Sequence, residues 1–243
     1  IDTNGDGSIV GDNTAHAGVT IYIDFDNDSV FDAGEKSAIT DANGNWSITG
    51  LDSSFTGKLV RENVASTYIT TVGGSGIAIT GSAGNNQTGI DFGNFQKFSI
   101  SGIKYDDNDN NGIDAGDGRL AGVTVYVDLN GNDAFDNDLD AELEAGEDPF
   151  AVTDANGAWT ISGLGPTAGG KEVREVTPAG YTQTVGQDGT VVNTDYLVTA
   201  SSGNNSQTAF NFANFLPFSI SGKKVIDTNG DGSIVGDNTA HAG

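Results

Sequence analysis

The sequence contains no cysteine, and basic residues are scarce. Without cysteine the chain can form neither a disulfide nor a thiolate metal site. Its 10 Lys and Arg residues stand against 34 Asp and Glu residues, which gives a formal net charge of −24. Nucleic acids and anionic membrane surfaces are bound by basic faces, so we expect neither partner.

Long apolar runs are absent too, so no membrane-inserted segment is predicted. So acidic a chain could be disordered, but 36% of its residues are hydrophobic and its aromatic residues are spread throughout. A packed core is therefore expected. Because Lys and Arg are too few to neutralise the carboxylates, metal cations are the natural counter-charge. A structural metal can also replace the disulfides on which small domains often depend.

Internal repetition is the strongest feature that is present. The segment Ile1–Gly18 recurs letter for letter at Ile226–Gly243. Shorter motifs also occur twice: FSISG at 98 and 218, AGVT at 17 and 121, TDANG at 40 and 153, and VRE at 60 and 173. We therefore predict two homologous domains, residues 1–97 and 98–217. In this register the first domain lacks its first strand, and residues 218–243 are the first strand and acidic loop of a next copy.

The local pattern predicts an all-β chain. Alternating β-branched and aromatic residues occupy Val19–Ile23 and Val123–Val127, which is typical of strands. Trp46–Ile48 and Trp159–Ile161 each follow an Asn-Gly turn, a hairpin signal. Further strands are expected at 77–80, 90–95 and 210–215. No stretch has a sustained helical period, and about seven short strands per domain indicate a β-sandwich.

The clearest candidate metal site is the loop 24–35. Calcium prefers hard oxygen ligands, and a twelve-residue calcium loop supplies them mainly from alternate positions and from its last residue. Those positions hold Asp24, Asp26, Asp28, Val30 (through its carbonyl), Asp32 and Glu35. Mg²⁺ is less suitable because it retains more of its water and requires a nearly regular octahedral geometry.

The matching loop of the second domain is longer. Its first series of ligands is Asp128, Asn130, Asn132 and Asp136. A second series begins inside the first and consists of Asp136, Asp138, Asp140, Glu142, Glu144 and Glu147. We predict two adjacent calcium sites that share Asp136.

A third type of acidic loop opens each domain. In the first domain it offers Asp2, Asn4, Asp6 and Asp12, and in the repeated segment Asp227, Asn229, Asp231 and Asp237. In the second domain residues 106–111 are all Asp or Asn, so two registers are open. The preferred one, which also aligns the FSISG strands, uses Asp107, Asp109 and Asn111 with Asp114 and Asp117, and the other uses Asp106, Asn108 and Asn110. Together the loops predict several Ca²⁺ ions per chain, although any single loop could be a solvated turn.

Two smaller features have alternative interpretations. Asp41 and Asp154, in the TDANG motifs, either add a calcium ligand or begin an Asx turn. No catalytic set can be assembled around His16 and its copy His241, and the paired carboxylates that a glycosidase would need already have metal-ligand spacing. We therefore predict that the chain is not an enzyme and has no small-molecule substrate.

The motifs FSISG, LAGVTVYVD, TDANG, VREVTPAGYTQT and DFGNF together resemble the SdrD B-like repeat of the Cna B-type group, found in bacterial surface adhesins. The resemblance covers both domains nearly end to end. It implies two tandem transthyretin-like Greek-key β-sandwich domains that bind calcium, in a protein that is secreted or located at the bacterial cell surface.

The resemblance also raises the question of an isopeptide bond between a first-strand Lys and a last-strand Asn, assisted by a Glu. Lys104, Glu175 and Asn214 stand in suitable strands, whereas Glu62 and Asn94 would need the equivalent of Lys224 from a preceding copy. The alternative is an ordinary Lys and Asn, since the calcium-binding subgroup generally lacks the bond.

The favoured function is structural: a calcium-rigidified extracellular tandem-repeat protein that forms a filament or surface stalk, with copies of itself as head-to-tail partners. One alternative is a ligand-binding surface adhesin region, for which Trp46 and Trp159 are candidate contacts, although their position after a turn fits core anchors better. Another is an accessory region of a carbohydrate-active enzyme. Copies could be joined in one covalent array or by strand addition between subunits.

Overall fold

The computed structural model describes residues 1–12, 14–137, 146–186, 196–233 and 235. Within these ranges the regular structure is almost entirely β, which confirms the predicted all-β class. The exceptions are two short 3-10 turns, Ser53–Phe55 and Pro166–Ala168. The described part of the chain has no apolar helix of membrane-spanning length.

In residues 1–97 the described strands form two sheets. The strands are β1 (Thr20–Asp24), β2 (Ser37–Ile39), β3 (Leu59–Asn63), β4 (Tyr68–Val72), β5 (Ile77–Ala78) and β6 (Gly93–Gln96). One sheet has the order β2-β1-β3-β5, and β4 pairs with β6 in the other. All of these pairings are antiparallel.

The described strands of residues 98–217 also form two sheets, which include a long first strand that has no counterpart among the described strands of residues 1–97. The strands are β7 (Phe98–Asp106), β8 (Gly118–Arg119), β9 (Thr124–Asp128), β10 (Phe150–Val152), β11 (Ala158–Leu164), β12 (Glu172–Glu175), β13 (Thr182–Val185) and β14 (Phe212–Phe215). One sheet has the order β10-β9-β12 and the other β11-β7-β14-β13, with β8 against the end of β7. The long strand β7 thus lies between β11 and β14, and it is parallel to β14.

The second half has a closed apolar core between its two sheets. Alternate residues of β7 point inwards, so Phe98 and Ile100 pack with Trp159 of β11 and Phe212 of β14. Val125 of β9 belongs to the same cluster and faces them from the other sheet. Burial of these large aromatic residues stabilises the second half.

The core of the first half is closed on only one side. Ile21 of β1 and Val60 of β3 are buried, but Trp46, Ile48 and Phe92, which correspond to core residues of the second half, are only partly buried.

The predicted strand at Trp46–Ile48 is wrong, because the segment makes no strand pairing in the structure. Its counterpart Trp159–Ile161 is a strand because β7 lies beside it. No described strand lies beside Trp46–Ile48, and an extended segment without a hydrogen-bonded neighbour forms no sheet.

Candidate metal centres

Each acidic loop begins with an aspartate whose carboxylate is enclosed by its own backbone. In the loop after β1, Asp24 accepts hydrogen bonds from the N–H groups of Asn27 (2.7 Å) and Ser29 (3.1 Å). Equivalent bonds, from N–H groups three to five residues further on, are made to Asp2, Asp107, Asp128 and Asp227. Of these five aspartates, four are buried: Asp2, Asp24, Asp107 and Asp128. The loops therefore share one design, and we call this carboxylate the caged aspartate.

The small residues between the acids permit this geometry. Asn27 and Ser29 have φ values of 69° and 68°, and Gly5 and Gly7 both have a φ of 75°. These left-handed conformations turn successive N–H groups towards the carboxylate, and only Gly, Asn and a few other residues adopt them readily. The alternation of acids with Asn, Gly and Ser thus produces the cage as well as the ligand spacing.

A second carboxylate closes each ring. Glu35 accepts from the N–H groups of Phe25 (2.8 Å) and Asp32 (3.0 Å). In the loops that open the domains, Asp12 accepts from the N–H of Thr3, and Asp117 accepts from those of Asn108 and Asp114. In all three loops the closing carboxylate binds the residue directly after the caged aspartate.

Asp148 is the closing carboxylate that sequence reasoning missed. Its carboxylate accepts from the N–H groups of Leu129 (2.9 Å) and Asp136 (3.1 Å), which are the counterparts of Phe25 and Asp32. The side chain is buried, and that burial raises its pKa. A sequence signal existed, because Asp148 and Glu35 both stand two residues before the next strand. The neighbouring Glu147 remains a predicted ligand.

Among the described residues, four groups of carboxylates lie close enough together to share a cation. They are Asp2, Asp6 and Asp12; Asp24, Asp26 and Glu35; Asp26, Asp28 and Asp32; and Asp107, Asp109 and Asp117. Within each group the candidate ligand oxygens are all within 4.8 Å of one another. Two oxygens on one calcium ion, each about 2.4 Å from it, lie at most about 5 Å apart. The residues present therefore fit calcium in the loops of 2–12, 24–35 and 107–117.

The asparagines that were predicted as ligands donate their side-chain amides to neighbouring acids. Asn130 and Asn132 both donate to Asp136, at 2.8 and 2.7 Å. Amide groups of Asn4, Asn111 and Asn229 likewise donate to Asp6, to both Asp109 and Asp114, and to Asp231. Val30 lies exposed in its loop. Asp138, Asp140, Glu142, Glu144 and Asp237 lie outside the described residues.

The structure also distinguishes the two registers of the loop after β7. Asp107, rather than Asp106, is buried and receives the N–H bonds of Asn111 and Gly112. Its backbone N–H donates to Asn214 O (2.9 Å), just as the N–H of Asp2 donates to Asn94 O (2.8 Å). Asp107 is therefore the counterpart of Asp2, as in the preferred register.

One arginine neutralises the caged aspartate in each long loop. Arg61 Nε lies 2.7 Å from Asp24 Oδ2, and Arg174 Nε lies 3.3 Å from Asp128 Oδ2. Burial alone would raise the pKa of Asp24, but the hydrogen bonds from Arg61 and the loop N–H groups outweigh it and lower the pKa. Both arginines belong to the VRE motifs, in which sequence reasoning gave a role to the glutamate but none to the arginine.

The other carboxylates of the loop 24–35 repel one another. The charge of Asp28, more than any other cause, raises the pKa of Asp32, and Asp26 and Glu35 act in the same direction. Within the described residues, Arg61 provides the only ion pair to this loop. A divalent cation would relieve this repulsion.

Asp41 and Asp154 form Asx turns, so the second interpretation of the TDANG motifs is confirmed. Asp41 Oδ1 accepts from the N–H groups of Asn43 (2.8 Å) and Asn45 (2.9 Å). Asp154 Oδ1 makes the same two bonds, both 2.8 Å, with Asn156 and Ala158. Bonds with Asn45 and Asn43 lower the pKa of Asp41.

A buried Lys–Glu–Asn cluster lies inside the second half. Lys104 Nζ of β7 is 2.9 Å from Glu175 Oε2 of β12 and donates to Asn214 Oδ1 of β14 at 2.5 Å. All three residues are buried. Burial lowers the pKa of Lys104 and raises the pKa of Glu175, which favours a neutral amine beside a protonated acid.

The first half has the same acid and amide without the lysine. Asn94 Nδ2 donates to Glu62 at 2.6 Å, and Thr70 Oγ1 donates to Glu62 at 2.7 Å. The ring N–H of His16 donates to Asn94 Oδ1 at 2.7 Å. In the second half Lys104 makes the corresponding bond to Asn214 Oδ1. Among the described residues no Lys or Arg pairs with Glu62, and burial raises its pKa.

The first acidic loop lies at the junction between the two halves. Thr3 O accepts from the backbone N–H of Ser202 (3.0 Å). Gly5 packs so closely on Pro166 that a Cβ there would lie 2.5 Å from the proline Cβ. Phe95, from the last strand of the first half, is buried in the core of the second. The loop that carries Asp2 thus contacts both halves.

No protein-family model and no curated protein matches this chain. The resemblance to the SdrD B-like repeat therefore rests on the motifs alone.

Proposed function

We propose that the chain is a structural, calcium-rigidified extracellular tandem-repeat protein whose copies assemble head to tail into a filament or surface stalk. The observation that supports this most strongly is the repeated ring of caged aspartate and closing carboxylate. One such ring lies at the junction between the two halves, where a bound ion would limit their relative motion. Secretion to the cell surface is consistent with this role, since extracellular calcium is abundant enough for sites of modest affinity.

The calcium ions would act as cross-links within the loops. In this proposal Asp24, Asp26, Asp28, Asp32 and Glu35 hold one ion, and equivalent sets hold others in the loops that begin at Asp2, Asp107, Asp128 and Asp227. An ion bound in this way offsets repulsion among carboxylates and couples loop order to folding. We also assign each half to the transthyretin-like Greek-key sandwich, on the basis of the repeated sheets and the motif resemblance.

An adhesin role has weaker support. Trp159 is buried against Phe212 in the second core, so it does not form a ligand-binding surface. Trp46 is half-buried and lines a groove of the first half. An enzymatic role has no supporting constellation among the described residues.

The substitution Asp32→Asn separates the contribution of Asp32 to calcium binding from its contribution to stability without calcium. Without calcium this variant is expected to be at least as stable as the parent, because it removes one of the repelling charges. In the presence of calcium it is expected to lose affinity at the 24–35 loop, because a charged ligand is missing. Calorimetric titration and thermal unfolding with and without calcium would measure both effects, and Asp91→Asn, an exposed acid outside the rings, is the control. Unchanged calcium affinity in Asp32→Asn would contradict the site.

We also propose that Lys104 and Asn214 form an isopeptide bond. The neutral Nζ attacks Asn214 Cγ, a new C–N bond replaces the Cγ–Nδ2 bond, and the amide nitrogen leaves as ammonia. The protonated Glu175 carries a proton between the two nitrogens. A covalent tie between the first and last strands of a domain would suit a stalk under tension.

Intact-mass measurement of the full chain tests this bond. The mass is expected to be one ammonia lower than that of the sequence, and Glu175→Gln is expected to restore the full mass because the proton carrier is lost. Asn94→Ala, in the first half, is expected to keep the loss. A parent chain of full mass would contradict the proposal.

A further inference from the structure

The segment Phe218–Lys224 is an apolar strand sequence that lies exposed. It repeats FSISG of β7, yet Phe218 and Ile220 are 81% and 90% exposed, whereas Phe98 and Ile100 in β7 are 2% and 1% exposed. No strand is assigned within 218–224, although these residues are described. Two large apolar side chains, which the same sequence buries elsewhere, are thus left in solvent.

The first half contains a groove where the second half contains β7. It has a volume of about 960 Å³ and lies between segments 44–53 and 81–91. Its lining includes the apolar side chains of Ile23, Val60, Ile79, Trp46 and Ile48. Trp159 and Ile161, the counterparts of Trp46 and Ile48, pair with β7. The groove therefore has the lining of a strand position with no described strand in it.

We infer that this groove is the binding site for Phe218–Lys224 of a second copy of the chain. The second half shows how the exposed segment and the open groove fit together. There β7, which begins with the same FSISG sequence, lies between β11 and β14 of one chain. The inference rests on the proposed head-to-tail assembly for its partner and adds the segment, the site and the register. It does not depend on calcium.

The pairing of β7 fixes the register. In the second half Trp159 pairs with Gly102 and Thr160 with Ser101, so the same alignment places Gly222 beside Trp46 and Ser221 beside Ser47. On the other edge, the N–H of Ser101 donates to Gln207 O at 2.9 Å. Gln87 corresponds to Gln207, since both side chains bond the backbone of the segment that precedes them. Ser221 is therefore expected to bond Gln87.

The same register brings a lysine to Glu62, which has no Lys or Arg partner among the described residues. Lys224 corresponds to Lys104, and a second cavity of about 260 Å³ adjoins the groove through shared lining residues at Gly44, Trp46 and Asp91. Glu62 and Asn94 also line that cavity. The incoming amine would meet the same acid and amide that Lys104 meets in the second half, and it would displace the His16 bond to Asn94.

Gly222 provides a site for a selective test. A Cβ at Gly102 would lie 1.9 Å from Phe210 O and 2.8 Å from Trp159 Cζ2, so this strand position accepts only glycine once it is docked. A Cβ at Gly222 meets nothing within 4 Å in the single chain. Gly222→Val should therefore leave the isolated chain intact and prevent docking.

Disulfide trapping tests the contact directly, because the chain has no cysteine of its own. Ser101 and Thr160 face each other on neighbouring antiparallel strands, so Ser47→Cys with Ser221→Cys should be close enough to bond when two copies dock. After mild oxidation of the full chain, a ladder of multimers is expected on a non-reducing gel. The control pair Ser47→Cys with Ser219→Cys is two residues out of register and should give about tenfold less product.

The outcomes discriminate clearly. Adding Gly222→Val to the Ser47/Ser221 pair is expected to reduce the ladder by about tenfold or more, with an unchanged melting temperature for the single chain. Equal ladders from the two cysteine pairs, only cross-linked monomer, or no effect of Gly222→Val would overturn the inference. Running each reaction with calcium and with EDTA separates it from the proposed function. An in-register ladder without any calcium effect on stability would contradict calcium rigidification and support docking. Calcium stabilisation without a ladder would support calcium rigidification and contradict docking.

Discussion

Replacing Asp24 with alanine is expected to lower the free energy of unfolding of the first half by about 3–5 kcal/mol, even before calcium is added. The buried carboxylate accepts two loop N–H groups and pairs with Arg61 at 2.7 Å. Its removal leaves a largely buried guanidinium and two backbone donors without their acceptor. Urea unfolding of the parent and the variant in EDTA, followed through the first-half Trp46, would measure the loss.

Asp26→Ala is the matched control for this change. Asp26 belongs to the same group of candidate ligands but is exposed. In EDTA its removal is expected to alter stability by no more than about 0.5 kcal/mol. In calcium both variants should lose the ion. Equal losses for Asp24→Ala and Asp26→Ala in EDTA would show that the caged aspartate has no special structural role.

Replacing Lys104 with methionine is expected to destabilise the second half by about 2–6 kcal/mol, because two buried polar groups each lose a hydrogen-bond partner at a cost of about 1–3 kcal/mol. The amine lies buried between Glu175 and Asn214, and its loss leaves both of them without that partner. If the isopeptide bond forms, the same change also removes a covalent tie. Denaturant unfolding would measure the loss, and Lys223→Met, at an exposed lysine, should stay within about 0.5 kcal/mol of the parent.

A double substitution tests the physical reason. Lys104→Met combined with Glu175→Leu removes both buried polar groups and should recover part of the stability lost in Lys104→Met, because no uncompensated acid remains. The double variant has no Lys104 and cannot form the cross-link. If it regains unfolding free energy while its mass shows no loss of ammonia, the effect of the buried polar groups is separated from the effect of the cross-link. A double variant less stable than Lys104→Met would contradict this explanation.

Local patterns in the sequence predicted the strands around Thr20–Asp24 and Thr124–Asp128, because alternation of side chains depends on short-range geometry. They also predicted which acids lie close together in the loops of 2–12, 24–35 and 107–117. The Asp107 register also agreed, since it was anchored to a strand motif. Asp148 was missed because loop positions were counted forward from Asp128. In this longer loop the twelfth position falls well before the next strand, whereas Asp148 lies two residues before it. Distance from the following strand would have been the better guide.

The sequence could not reveal the interactions that cross the sheet. Arg61 and Arg174 reach the caged aspartates from a neighbouring strand, and this depends on pairing register rather than on local pattern. The strand predicted at Trp46–Ile48 failed for a similar reason. Its side chains suit a strand, but a strand also needs a hydrogen-bonded neighbour, and no described strand lies beside this segment.

Calcium dependence of stability tests the central claim most directly. Thermal unfolding and limited proteolysis of the full chain should be measured in EDTA, in excess calcium and in excess magnesium. At a hundredfold excess over the dissociation constant, each occupied site adds about 2.7 kcal/mol. The account predicts a large rise in melting temperature and protection of the junction near Thr3 and Ser202 with calcium, and much less with magnesium. Identical melting curves and identical digestion patterns in EDTA and calcium would contradict it.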